Sequence, residues 1–264
     1  MGLARTLAVT LTGLAGHIVE VEAHAAQGLP GFTLVGLPDA AVRESRERVR
    51  AALSTCGVTW GEQRLTVNLS PADLRKTGTG LDLALALAVL GARGWLGRSA
   101  AGILGRTVYI GELGLDGSVH PVRGILPAVR TAVEAGVQAA VAAGVEEIVV
   151  AQEAAAEAEL VPGARVTAVR HIGQLVERYG GRLSAAVVAA LEQIAEAATD
   201  DAPTTPPWDA ELPDLADVVG QTEARQALEV AAAGGHHLIM VGPPGTGKTM
   251  LAERLPSILP PLEQ

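Results

Sequence analysis

Aromatic residues are nearly missing from this sequence: three Trp, two Tyr and one Phe make up 2% of 264 residues. A core must then be built from Ala, Val, Leu and Ile, and a hydrophobic fraction of 48% supplies them. A chain of this length can bury a sizeable core from small aliphatics alone. Cysteine is reduced to Cys56, which excludes a disulfide within the chain and fits a reducing, cytoplasmic location. Cys56 itself reads as a small buried hydrophobe. Long apolar runs are lacking as well. The most apolar stretch, Leu81 to Leu90, falls far short of the about 20 residues a membrane span needs. Met1–Leu14 has no proper signal-peptide core or cleavage site, so no membrane association is predicted. Positive charge is scarce: 20 Lys and Arg against 29 Asp and Glu give a net charge of -9. That balance argues against a general nucleic-acid-binding surface but leaves room for a local basic patch.

The length predicts one to two domains, and the pattern divides the chain into three segments. From Met1 to about Tyr179, strand-like and helix-like patterns alternate. Strands are predicted at Leu7–Leu11, His17–Ala23, Phe32–Leu37, Arg64–Leu69, Thr107–Leu113, Glu147–Val150 and Arg165–Val169. Asp39 is placed to cap a helix through Ser54, with Val42, Val49 and Leu53 on its inner face and Arg43, Glu44, Arg46, Glu47, Arg48 and Arg50 mostly outside. Leu81–Ala92 is apolar all round and reads as a buried helix. Ile125–Ala135 reads as a helix capped by Gly136, and Gln152–Leu160 and Ile172–Tyr179 as two more. Leu183–Ala198 is an Ala-rich helix, and Thr199–Pro213, with four Pro, reads as an extended linker. A new domain begins near Asp214.

That last segment carries the clearest chemistry. An apolar stretch, His237–Val241, is predicted as a strand; Gly242-Pro243-Pro244-Gly245-Thr246-Gly247-Lys248-Thr249 follows, and then a helical pattern, Thr249–Leu255. Strand, loop and helix in this order are the context of a phosphate-binding P-loop. Gly245 and Gly247 allow backbone N–H groups to turn inward around phosphates, and a helix N-terminus adds its dipole. Lys248 places a charge between the outer phosphates of ATP, and the Thr249 hydroxyl is the predicted ligand of the accompanying Mg²⁺. His236 and His237 lack a third ligand nearby and read as strand entry. No acidic strand end, sensor residue or arginine finger follows Thr249, so the chain by itself is expected to hydrolyse ATP poorly and to be part of a longer ATPase.

Val219-Gly220-Gln221, ahead of a helix at Glu223–Ala233, is similar to the segment that lies beside the adenine in AAA+ ATPases, which makes Val219, Gly220 and Gln221 candidates for the base pocket; an ordinary helix entry capped by Thr222 is the alternative. Three further patterns are Leu37–Arg50, Thr66–Lys76, and Gly111-Glu112-Leu113 through Pro121-Val122-Arg123-Gly124. With the P-loop, they resemble the ComM/YifB family of magnesium-chelatase-like AAA+ proteins. The resemblance implies an α/β (α+β) chain with three parts. Residues 1–180 are similar to the Lon protease domain and to the second domain of ribosomal protein S5. Residues 181–213 are helix and linker, and 214–264 the start of an AAA+ module. It also implies ATP and Mg²⁺ as cofactors, a hexameric ring, and DNA as partner of a branch-migration motor in DNA uptake and recombination. A magnesium-chelatase subunit for metal insertion, and a fragment that only binds nucleotide or partners, remain alternatives.

Proteolysis, the activity of Lon itself, needs a Ser nucleophile and a Lys base. The turn that matches the Lon serine, Lys76–Asp82, holds no Ser, and the position that matches its Lys is Leu126, between Ile125 and Pro127. No protease activity is therefore predicted; Thr79 with Lys76 is the conceivable substitute. Arg43, Arg46, Arg48, Arg50, Arg75 and Lys76 form the densest positive cluster, either a nucleic-acid or subunit face or a solvated helix surface paired with Glu44 and Glu47.

Overall fold

The computed structural model describes residues 2–60, 63–137, 144–200, 213–243 and 245–259, in two compact units, residues 1–200 and 201–264. The first unit begins with two long strands, β1 (Gly2–Thr12) and β2 (Ala15–Gln27), then β3 (Gly31–Val35), helix α1 (Ala40–Thr55) and β4 (Gln63–Ser70). The central helix α2 (Asp82–Ala92) follows, then α3 (Ala100–Leu104), β5 (Thr107–Ile110), the short hairpin β6 (Glu112–Leu113) and β7 (Val119–His120), and α4 (Ile125–Val137). The unit closes with β8 (Glu147–Ala151), α5 (Ala155–Ala158), β9 (Val166–Val169), α6 (Ile172–Arg178) and α7 (Ala185–Asp200).

Seven strands form one sheet in the order β3-β4-β2-β1-β5-β8-β9. The β1–β2 and β2–β4 pairs are antiparallel and the other four neighbours parallel, so the fold is mixed α/β. Strand β1 shows why its middle is an unbroken buried run: alternate side chains point to opposite faces, and both faces are covered. Thr6 gives its hydroxyl to the Ala84 carbonyl of α2 at 2.9 Å, and Ala8 belongs to the same core. Leu7 and Val9 pack on the other face with Val129 and Ala132 of α4. In α2 every residue except Gly91 is buried. Each of its leucines, Leu83, Leu85, Leu87 and Leu90, contributes about 1.5–3 kcal/mol of burial, which compensates for the missing aromatics. Asp39 caps α1 as expected, its side chain accepting the Val42 N–H at 2.8 Å.

Several sequence expectations are corrected here. Thr107–Leu113 is two strands: Ile110 ends β5 in the large sheet, and after Gly111 the chain enters the separate β6–β7 hairpin. Gly136 lies inside α4. Gln152–Leu160 becomes a 3₁₀ turn and a single helical turn. Arg48 points inward to a buried carboxylate, and Lys76 is fully buried. Thr199 and Asp200, read as linker, close α7; residues 201–212 of that linker lie outside the described residues.

The second unit has a 3₁₀ turn at Leu215–Asp217, helix α8 (Thr222–Gly234), helix α9 (Lys248–Ala252) and a 3₁₀ turn at Leu255–Ile258. Its small core is Leu215, Val218, Leu228 and Leu251. The strand predicted at His237–Val241 is absent from the assigned structure. The physical reason is the lack of a partner: no strand is described in this unit, so the segment has no ladder to join, and Ile239 and Val241 stand 86% and 89% exposed. Helix α9 is also shorter than the predicted Thr249–Leu255.

Candidate functional site

The loop at 242–249 turns through two left-handed glycines, Gly245 at φ +83 and Gly247 at φ +81, a conformation glycine adopts without steric cost. Lys248 begins α9, and its Nζ bends back over the loop. It donates to the carbonyls of Gly242 at 2.8 Å and Pro243 at 2.7 Å, and lies 3.2 Å from Thr246 Oγ1. Thr246 Oγ1 in turn donates to the Pro243 carbonyl at 2.9 Å. The loop therefore brings Gly242, Pro243, Thr246, Gly247 and Lys248 together. Thr249 stands exposed in the first turn of α9, and Pro244 lies outside the described residues. An ammonium held by three exchangeable oxygens beside two bare glycines suits an anionic ligand. Among the described residues no three His, Cys, Asp or Glu side chains converge as a resident metal needs.

The residues expected at the base behave differently from one another. Val219 is 97% exposed. Gly220 is left-handed at φ +79. Gln221 is left-handed too and starts α8 without a side-chain cap; its Nε2 reaches the Thr246 carbonyl at 3.3 Å. Sequence reasoning missed this contact, because residues 221 and 246 are joined only by the tertiary packing of α8 beside the loop.

In the first unit the turn that matches the Lon serine borders a cleft, while Leu126, the position matched to the Lon lysine, lies outside its lining. Thr77–Gly80 and Pro121–Gly124, with Val9, Leu11, Ile110 and Glu112, line this cleft of about 490 Å³. Its chemistry is not that of the substitute dyad. Thr79 donates to Glu112 Oε2 at 2.5 Å. Lys76 is buried outside this lining, its Nζ bonded to the Pro71 carbonyl; burial lowers its pKa, with Asp73 opposing. Leu126 gives its N–H to Glu157 at 3.1 Å. Asp82, at the start of α2, takes Arg48 Nε at 2.6 Å and Nη2 at 3.1 Å, and also the Leu113 N–H of β6 at 3.2 Å.

The predicted basic cluster breaks up. Arg48 is spent on Asp82, Lys76 is buried, and Arg46 pairs with Glu47 at 2.8 Å. Arg43, Arg50 and Arg75 remain exposed and enter no ion pair among the described residues.

Comparison with known proteins agrees with both halves of this picture. A family model described as subunit ChlI of Mg-chelatase matches residues 21–146, and a second, described as magnesium chelatase, subunit ChlI, matches residues 214–264. An uncharacterized protein of Mycobacterium tuberculosis is 49% identical over 262 residues, 99% of this chain and 47% of the relative. YifB of Salmonella typhimurium is 37% identical over 99% of this chain and 47% of its own length. Competence protein ComM of Haemophilus influenzae is 36% identical over 98% of this chain and 47% of its own length. A shorter likeness, 30% over 141 residues (51% of this chain, 17% of the relative), links the chain to a Lon protease of Mycolicibacterium smegmatis. The chain spans about half the length of the curated relatives it matches. With the ChlI matches at residues 21–146 and 214–264 and these relatives over nearly its whole length, the chain belongs to the magnesium-chelatase ChlI-like AAA+ family that includes YifB and ComM.

Proposed function

We propose that the loop Gly242–Thr249 holds the polyphosphate of ATP with Mg²⁺. Glycines 245 and 247 give backbone amides access to the phosphates, Lys248 carries the compensating charge, and Thr249 offers its hydroxyl to the metal. The observation that carries the reading is the Lys248 ammonium converging on two loop carbonyls and a hydroxyl, partners it can exchange for phosphate oxygens. ATP, when bound, supplies the free energy of its terminal phosphoanhydride. Isothermal titration of the chain with Mg-ATP and Mg-ADP tests this. Lys248→Ala is expected to weaken binding by about 10- to 150-fold, the range of a lost hydrogen bond to a charged group. Absence of nucleotide affinity in the unaltered chain sinks the reading.

In the whole protein this unit is read as part of a hexameric, cytoplasmic motor acting on DNA. Support comes from the relative whose name ties it to competence and from the exposed arginines Arg43, Arg50 and Arg75. Charge reversal at Arg43, Arg50 and Arg75 in the full-length protein should lower DNA affinity and flatten its salt dependence by about 0.9 per lost phosphate contact; unchanged values remove these arginines from the DNA surface. The Lon-like unit is read as a scaffold without proteolytic activity, since the cleft offers Thr79 a carboxylate and no lysine. A second reading, a subunit that inserts metal into a tetrapyrrole, is favoured by the ChlI match across residues 21–146. Branched-DNA unwinding set against porphyrin metallation by the full-length protein separates the two.

A further inference from the structure

Gln221 stands out in the second unit on three counts. It is a side-chain-bearing residue in the left-handed region, φ 49 and ψ 40, which non-glycine residues rarely occupy. It sits at the N-cap of α8, and its side chain makes no capping bond there. Its Nε2 instead donates across 25 residues to the Thr246 carbonyl at 3.3 Å. The amide also lies against Gly247, where an added Cβ would come within 2.7 Å of Nε2. A side chain at Gly247 would push this amide aside.

The consequence follows from peptide geometry. In a trans peptide the carbonyl and the next N–H lie in one plane and point opposite ways. Holding the Thr246 carbonyl toward Gln221 turns the Gly247 N–H away from it. Gly247 is itself left-handed at φ +81 and has no side chain to resist a flip of that plane. We propose that Gln221 is a positioning residue for the phosphate loop: it locks the Thr246–Gly247 peptide so that the Gly247 amide stays available to a polyphosphate, and it does not read the adenine. This rests on the nucleotide-binding reading above.

The test compares Mg-ATP with a ligand that has no base. The full chain and its Gln221→Ala, Gln221→Glu and Gln221→Gly variants are titrated calorimetrically with Mg-ATP and with inorganic tripolyphosphate plus Mg²⁺; Lys248→Ala serves as the control. Gln221→Ala and Gln221→Gly are expected to weaken both ligands by the same factor, about 2- to 10-fold, the range of one neutral hydrogen bond; Gln221→Glu, which adds a negative charge beside the loop, should weaken both further. Gln221→Gly matters most: glycine is at home at this φ, so the backbone relaxes while the donor is lost, and folding is safe. Weakening of ATP with tripolyphosphate unchanged overturns the proposal in favour of base contact. Full binding by Gln221→Gly overturns it too, since only the backbone would then matter. If the unaltered chain binds neither ligand and Lys248→Ala changes nothing, the nucleotide reading itself has failed, and this inference with it.

Discussion

Replacing Arg48 by Ala should cost the first unit about 3–5 kcal/mol at neutral pH, the usual penalty for stranding one partner of a buried ion pair. The Asp82 side chain is 0% exposed and that of Arg48 17%. The guanidinium meets both carboxylate oxygens, at 2.6 and 3.1 Å, and also Ser45 Oγ at 3.0 Å and the Ala41 carbonyl at 3.2 Å. After truncation the Leu113 N–H at 3.2 Å and the Ser45 hydroxyl are left to support a buried carboxylate. Burial already pushes the Asp82 carboxyl above the usual carboxylate range, against the pull of Arg48, Ser45 and the Leu113 amide. Without Arg48 that rise grows. An acid whose pKa is higher folded than unfolded binds its proton more tightly in the fold, so the variant recovers stability as pH falls and carries the full penalty once pH exceeds the folded value. Urea denaturation at pH 7.5 and 4.5, followed by fluorescence of Trp60 and Trp95 in a Trp208→Phe background, reads both effects. The deficit should be large at pH 7.5 and shrink at pH 4.5. Arg48→Met with Asp82→Leu should lie within about 1–2 kcal/mol of the parent, because an apolar pair of similar volume can replace a buried ion pair. A deficit below about 1 kcal/mol in the single variant, or one that ignores pH, would refute the claim that this buried pair ties α1 to α2.

Other outcomes follow from single contacts. Burial pushes the Cys56 thiol up to about 11, so a thiol reagent at pH 8 should label it at least ~100-fold more slowly than an ordinary cysteine, and at full speed in urea; prompt labelling of the folded chain contradicts the packing. Because its pKa is raised, Cys56 stabilises the fold fully below the ordinary thiol value and loses that contribution as pH climbs toward 11, so a Cys56→Ala variant should show a flatter stability profile between pH 9 and 11. Gly36→Ala should be destabilising by more than about 3 kcal/mol on thermal unfolding, since the residue is left-handed at φ +103 and its new Cβ would come 2.1 Å from the Leu69 carbonyl oxygen. Asp39→Ala removes the α1 cap and a 3.3 Å contact to the Gly78 N–H of the cleft loop, so a loss of about 0.5–2 kcal/mol is expected; an unchanged midpoint argues against the cap.

Sequence by itself determined what depends on neighbours along the chain. The all-apolar stretch that became α2, the Asp39 cap and the alternation of β2 and β4 were legible because periodicity and capping act over a few residues. The glycines and lysine of the 242–249 loop were legible for the same reason: each acts through its own backbone or its own charge. Tertiary structure decided what depends on distant partners. Arg48 has the pattern of a surface arginine, and only the placement of Asp82, 34 residues away, turns it inward. His237–Val241 has the pattern of a strand, but a strand exists only with a ladder partner, and none is described beside it. Gln221 is a base-pocket candidate by its position in a motif, and only the fold brings its amide to a peptide bond 25 residues on. Local pattern states what a residue can do; long-range packing sets which polar groups a buried charge or a strained side chain can reach.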